Sequence, residues 1–126
     1  MFAFHQFDKG QTPPFAYLPG ADGETFSVGE ALSLGAGKLT RCAATAVPEY
    51  IAMGPAGTGG LVPCTRVAAD IIYDAPLTAA GDELTLGSKV TLAEDALGVT
   101  ATTASGVAKI VRMDGTAIGD TVGVRF

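Results

Sequence analysis

Tryptophan is absent from this 126-residue chain, histidine occurs once and cysteine only twice. Each shortage removes a class of chemistry. A Ser–His–Asp or Cys–His triad would have to be built on His5, yet no nucleophile elbow lies near it and Cys42 and Cys64 lack motif flanks. One histidine and two cysteines fall short of a zinc site unless carboxylates complete it. Two cysteines make no disulfide framework either, and both read as buried free thiols. Basic residues are also scarce, eight against 13 acidic, for a net charge of −5. They are scattered singly from Lys9 to Arg125. A nucleic-acid backbone needs a basic stripe, so charge disfavours that partner and implies solubility instead. No apolar run approaches the roughly 18 residues of a membrane span. Residues 1–8 lack a basic region followed by an unbroken apolar stretch, so no secretory signal is expected, and a reducing compartment is. No stretch keeps a helical period over three turns. Ala43 to Met53 comes nearest, and Pro48 weakens it.

What remains is β text. The size fits one domain with its own core. From Phe26 onward, short β-branched and apolar runs alternate with turn signals. Strands are expected over 27–34, 39–44, 50–53, 61–68, 71–73, 84–92, 98–103, 108–113 and 121–126. Pro63 points to an edge or a bulge, and Asp114-Gly115 to a tight hairpin. The expected fold is all-β, with roughly eight to ten short strands. It is a small β-barrel or closed sandwich of two similar units, since closure removes free strand edges.

The two units come from an internal repeat. At an offset of 60 positions, Lys38 to Arg66 lies over Gly98 to Phe126, matching Met53 with Met113, Gly59 with Gly119 and Val62 with Val122. Upstream, after a two-residue length change, Val28 to Leu34 lies over Leu86 to Leu92. The units span about 27–68 and 84–126, joined by 69–83, within a single domain of residues 27–126. Cys42 and Cys64 fall opposite Thr102 and Val124, so the scaffold has no need of sulfur there.

Residues 1–26 differ. Six of the nine aromatics lie here, interrupted by Gly10, Pro13, Pro14, Pro19, Gly20 and Gly23. Pro-Pro biases the chain to extended conformations. This reads as an extended aromatic arm that packs on its own domain or on a neighbour. Aromatics dominate interface hot spots, so Phe2, Phe4, Phe7, Phe15 and Tyr17 are the expected protein-binding residues. For Phe15 and Tyr17 a place in the core is an equal alternative.

Elsewhere the sequence offers little chemistry. Asp82-Glu83 and Glu94-Asp95 are adjacent carboxylates in turns, where Asp is common as a solvated residue. Gly54-Pro-Ala-Gly-Thr-Gly-Gly60 lacks the Lys and Ser or Thr of a phosphate loop. No catalytic, cofactor or metal residues are assigned, and an enzyme is not expected. A second reading is a module that binds a carbohydrate or other small ligand, using Tyr50, Tyr73 and the loop 54–60. The absence of tryptophan weakens it.

The second unit resembles a known family. The runs Leu86-Gly-Ser-Lys-Val-Thr-Leu92, Asp95 to Thr103, Gly106-Val-Ala-Lys-Ile-Val111 and Gly119-Asp-Thr-Val-Gly-Val-Arg-Phe126 are similar to auxiliary head proteins of tailed bacteriophages, the capsid decoration (cement) and head-fibre proteins. Gly29 to Gly35 and Tyr50 to Met53 extend the likeness into the first unit. The resemblance implies a small β-rich structural protein on the outer capsid surface of a virion, made in the bacterial cytoplasm. Its implied partner is the major capsid protein, and its implied state a homotrimer that stabilises the shell. It carries over no catalytic residues, and neither nucleic acid nor membrane is an expected partner.

Overall fold

The computed structural model describes residues 1–7 and 15–126, with the backbone alone at Phe4, Gln6 and Phe7. Gly10, Pro13 and Pro14 of the expected arm lie outside the described residues. Ten strands form among the described residues: β1 (Ala3–Phe7), β2 (Phe15–Pro19), β3 (Ala31–Gly35), β4 (Lys38–Arg41), β5 (Tyr50–Ala52), β6 (Leu61–Arg66), β7 (Ile71–Pro76), β8 (Lys89–Val90), β9 (Ala108–Met113) and β10 (Thr121–Arg125). No helix occurs among the described residues. The strands make two five-stranded sheets, ordered β2-β6-β5-β3-β4 and β1-β7-β10-β9-β8, with every strand pair antiparallel. The expectation of an all-β fold holds at this level. Neither sheet is closed by a strand ladder among the described residues.

Apart from β1, each sheet comes from one continuous stretch of chain, and the two stretches are wired alike. Gly20 bridges Leu39 in parallel, as Leu77 bridges Val99. The Gly29 amide donates to Ala52 at 2.7 Å, and the Gly87 amide to Ile110 at 2.7 Å. The Ala21 amide donates to Leu39 and the Thr78 amide to Val99, at 2.8 and 2.9 Å. Positive φ recurs at three pairs of corresponding residues, while Gly23, Gly37 and Ser105 have no such counterpart. Gly29 and Gly87, Ala36 and Ala96, and Gly59 and Gly119 all have positive φ. Such a φ is costly for alanine. It recurs at corresponding places because both stretches turn there in the same sense.

The register differs from the sequence overlay at one strand. Ala52 lies opposite Cys64, and Ile110 opposite Val124. Met53 therefore corresponds to Val111 and not to Met113. The ladder between β9 and β10 shifts between Gly123 and Val124, and such a bulge absorbs an extra residue.

Other local expectations change for identifiable reasons. The strand expected over 84–92 contracts to Lys89–Val90 because Gly87 turns the chain with a positive φ. The segment 98–103 contributes only bridges at Val99. Asp114-Gly115 opens a longer loop over 114–120, whose interior is filled by the Asp120 carboxylate accepting from the Ala117 amide at 3.0 Å. Pro63 sits on an interior strand, not an edge. Its carbonyl accepts from Met53 just past the end of β5. In an antiparallel strand a residue's N–H and C=O point the same way. The donor that proline lacks therefore faces a place where the ladder has already ended.

Among the described residues, burial forms two clusters. One gathers Phe26, Leu32, Leu39, Ala52, Val62 and Cys64 on the first sheet. The larger includes Tyr73, Leu77, Leu92, Ile110, Val122 and Val124 of the second, joined by Ala31 and Ile51 of the first. Side chains alternate faces along a strand, so β3 and β5 give one neighbour to each cluster: Ala31 and Leu32, Ile51 and Ala52. Those strands are the shared wall. The Ala31 amide donating to Ala96 and the Leu92 amide donating to Ala44, both at 2.9 Å, tie the two stretches together.

Candidate functional site

The aromatic residues of 1–26 separate between the sheets. β1 pairs with β7, placing Ala3 opposite Asp74 and Phe7 opposite Ile71. Phe2, just before it, is only 1% exposed, and its amide donates to Gly29 at 2.8 Å. Its ring meets Phe126 edge-on with centroids 5.5 Å apart. Phe2 is thus a core residue, which corrects its expected role at a surface. The backbones of Phe4 and Phe7 lie in β1; their side chains fall outside the described residues.

Phe15 and Tyr17 have the opposite placement. β2 alternates so that Ala16 and Leu18 pack on the first cluster while Phe15, Tyr17 and Pro19 face outward. Phe15 is 52% exposed and Tyr17 63%. Across the ladder Tyr17 pairs with Pro63, and Pro19 with Leu61, itself 62% exposed. Phe15, Tyr17 and Leu61 make an apolar strip on one face of β2 and β6. Sequence alternation alone shows that Phe15 and Tyr17 share a face. It does not show which face is wet, nor that Leu61 joins them. β2 ends its sheet, and no second strand among the described residues pairs with it. The corresponding strand β7 carries β1 on that side.

The ligand-binding residues named from sequence are not brought together. Tyr73 is 1% exposed, packed 5.7 Å from Phe126, and its hydroxyl has no partner among the described residues. Burial, reinforced by the charge of Asp70, pushes its pKa up to about 12. It offers no surface for a sugar. Tyr50 lines a cleft of about 450 Å³ with Leu34, Val47, Pro48, Arg66 and Phe126. Loop 54–60 contributes no lining residue to that cleft.

The titratable groups form structural pairs. Asp74 accepts from Arg112 at 2.6 Å and lies 3.2 Å from His5 Nδ1, while Arg112 also reaches Asp114 at 3.1 Å. His5 therefore touches a carboxylate already held by a guanidinium. Burial raises the pKa of both thiols, Cys42 and Cys64, which keeps them protonated and poor nucleophiles. Glu30 is 2% exposed and accepts from the Ser27 amide and from Arg41, both at 2.9 Å.

No protein-family model and no curated protein matches the chain. The fold is similar to a solved structure, the N base of the head fibre gp8.5 of bacteriophage phi29, with a TM-score of 0.62 over 88% of this chain and 92% of that one, at 14% sequence identity.

Proposed function

We propose that this chain is a structural, non-enzymatic protein of a phage head, bound to the outer capsid surface as a decoration or head-fibre protein. The observation that carries the reading is the fold shared with the head-fibre base over nearly the whole of both chains. The resemblance of the second unit to auxiliary head proteins supports it independently. The exposed strip of Phe15, Tyr17 and Leu61 supplies the contact, since desolvated aromatics supply much of the energy in protein interfaces. The partner is the major capsid protein, and the chain acts as a trimer presenting three strips at once. That raises effective concentration, so a modest contact at each site suffices for the whole.

The test is a Phe15→Ser, Tyr17→Ser variant measured for cosedimentation with undecorated heads. Both side chains are largely exposed, so folding should change by no more than about 0.5 kcal/mol for each substitution. Binding should fall at least tenfold, roughly the effect of losing one interface hot spot. Undiminished binding removes the strip from the interface. Light scattering of the isolated protein tests the trimer, and a monomer that stays monomeric on heads counts against it.

A further inference from the structure

Three basic residues far apart in sequence stand side by side on the second sheet. Lys89 on β8 lies opposite Lys109 on β9, and Lys109 lies opposite Arg125 on β10. Residues directly opposite in an antiparallel ladder project from the same face, with Cβ atoms about 5 Å apart. The three cations therefore form a row of roughly 10 Å across the strands. Like charges in such positions oppose folding.

The fold gives no reason for Lys89 and Lys109 to face each other. Lys38, Arg41 and Arg112 each have a carboxylate within ion-pair distance: Asp22, Glu30, and Asp74 with Asp114. Acids outnumber bases, 13 to eight. Yet among the described residues no acid pairs with Lys89 or Lys109, and both are exposed. Arg125 donates to the Ala69 carbonyl at 3.0 Å. Lysine on an end strand such as β8 can discourage edge pairing. That does not account for Lys109, which is on an interior strand.

We propose that the Lys89–Lys109–Arg125 row docks a cluster of carboxylates on a partner protein. It is a second interaction surface, chemically distinct from the apolar strip, and it does not depend on the phage-head reading. Charge selects the class of partner. The chain is −5 overall, so without these three cations the rest of the molecule carries −8. An extended anionic surface such as duplex DNA or an anionic membrane would bring charge well beyond the row against that excess. A local carboxylate cluster meets the row at contact distance, and screening over a Debye length of about 8–10 Å weakens its repulsion from more distant acids.

The experiment titrates the full chain with oligoglutamate at low salt, followed by NMR, and compares a Lys109→Glu variant. That substitution sets a carboxylate between Lys89 and Arg125, so the row alternates in sign and thermal stability should be equal or higher. Oligoglutamate should shift the resonances of Lys89, Lys109 and Arg125, and the variant should weaken binding by roughly tenfold or more. Lys38→Glu, at a cation already paired with Asp22, should change it little. The proposal is overturned by no binding, by equal binding of wild type and Lys109→Glu, or by tighter binding of duplex DNA or anionic vesicles.

Discussion

Phe2 and Phe126, from opposite ends of the sequence, meet edge-on with ring centroids 5.5 Å apart. Phe126 also packs on Tyr73 of β7. The second sheet is thus fastened by a residue just outside each of two strands, β1 and β10. Phe2→Ala should destabilise by about 3–5 kcal/mol, the usual range for a buried phenylalanine. That is a large share of the roughly 5–15 kcal/mol typical of a whole domain. Urea unfolding measures it. A cost below about 1 kcal/mol would mean the ring is not part of the core.

Tyr73 couples stability to alkaline pH. Its folded pKa is raised to about 12 from an ordinary 10. The neutral phenol is the form that the fold tolerates. Its contribution is fully present below pH 10 and declines between 10 and 12 as the unfolded chain loses the proton first. The loss amounts to roughly 2–3 kcal/mol. Tyr73→Phe should abolish this slope. Because the hydroxyl has no partner among the described residues, the variant should also match or exceed wild-type stability at neutral pH by about 1 kcal/mol. A less stable variant would reveal a partner for the hydroxyl.

Two glycines should fail for different reasons. A Cβ on Gly106 would fall 2.1 Å from the Lys89 carbonyl oxygen and 2.8 Å from the Val90 nitrogen. Both are backbone atoms that cannot swing away. Gly106→Ala should displace β8 and cost about 1–3 kcal/mol, as overpacking does. Gly119 has open space around it but a φ of +91°, so Gly119→Ala should cost about 1–2 kcal/mol from backbone strain alone. Amide hydrogen exchange separates them: only Gly106→Ala should expose the β8–β9 ladder.

Glu30 and Arg41 should be strongly non-additive. Arg41→Ala leaves a buried carboxylate with the Ser27 amide as its one remaining partner among the described residues. The cost should be about 1–3 kcal/mol at neutral pH. In a Glu30→Gln background the same substitution should cost far less, because the charge that needs compensation is gone. A double-mutant cycle by thermal unfolding reads the coupling, and additivity would show that the pair contributes nothing.

Much of the strand content was legible because it is locally encoded. Val122 and Val124 alternate with polar or small neighbours, and both are buried. Residues 50–52, 61–66 and 108–113 carry enough β-branched and apolar character to be strands in any context that buries one face. The sequence overlay pairs Gly29 with Gly87 and Gly59 with Gly119, and all four glycines have positive φ. The candidate surface was legible only in part. Alternation puts Phe15 and Tyr17 on one face, but nothing local distinguishes their fate from that of Phe2.

The sequence by itself determined that the chain is built of short strands and turns, since propensity and alternation act over a few residues. It also determined an acidic surface and the scarcity of catalytic groups. Tertiary structure alone decided which aromatic residues face water, that Pro63 lies inside a sheet, and that cations at 89, 109 and 125 form one row. The reason is register. Pairing between distant strands fixes which side chains become neighbours, and a slip of one residue would send each to the other face. No window of sequence contains that choice, because it depends on how both sheets pack at once.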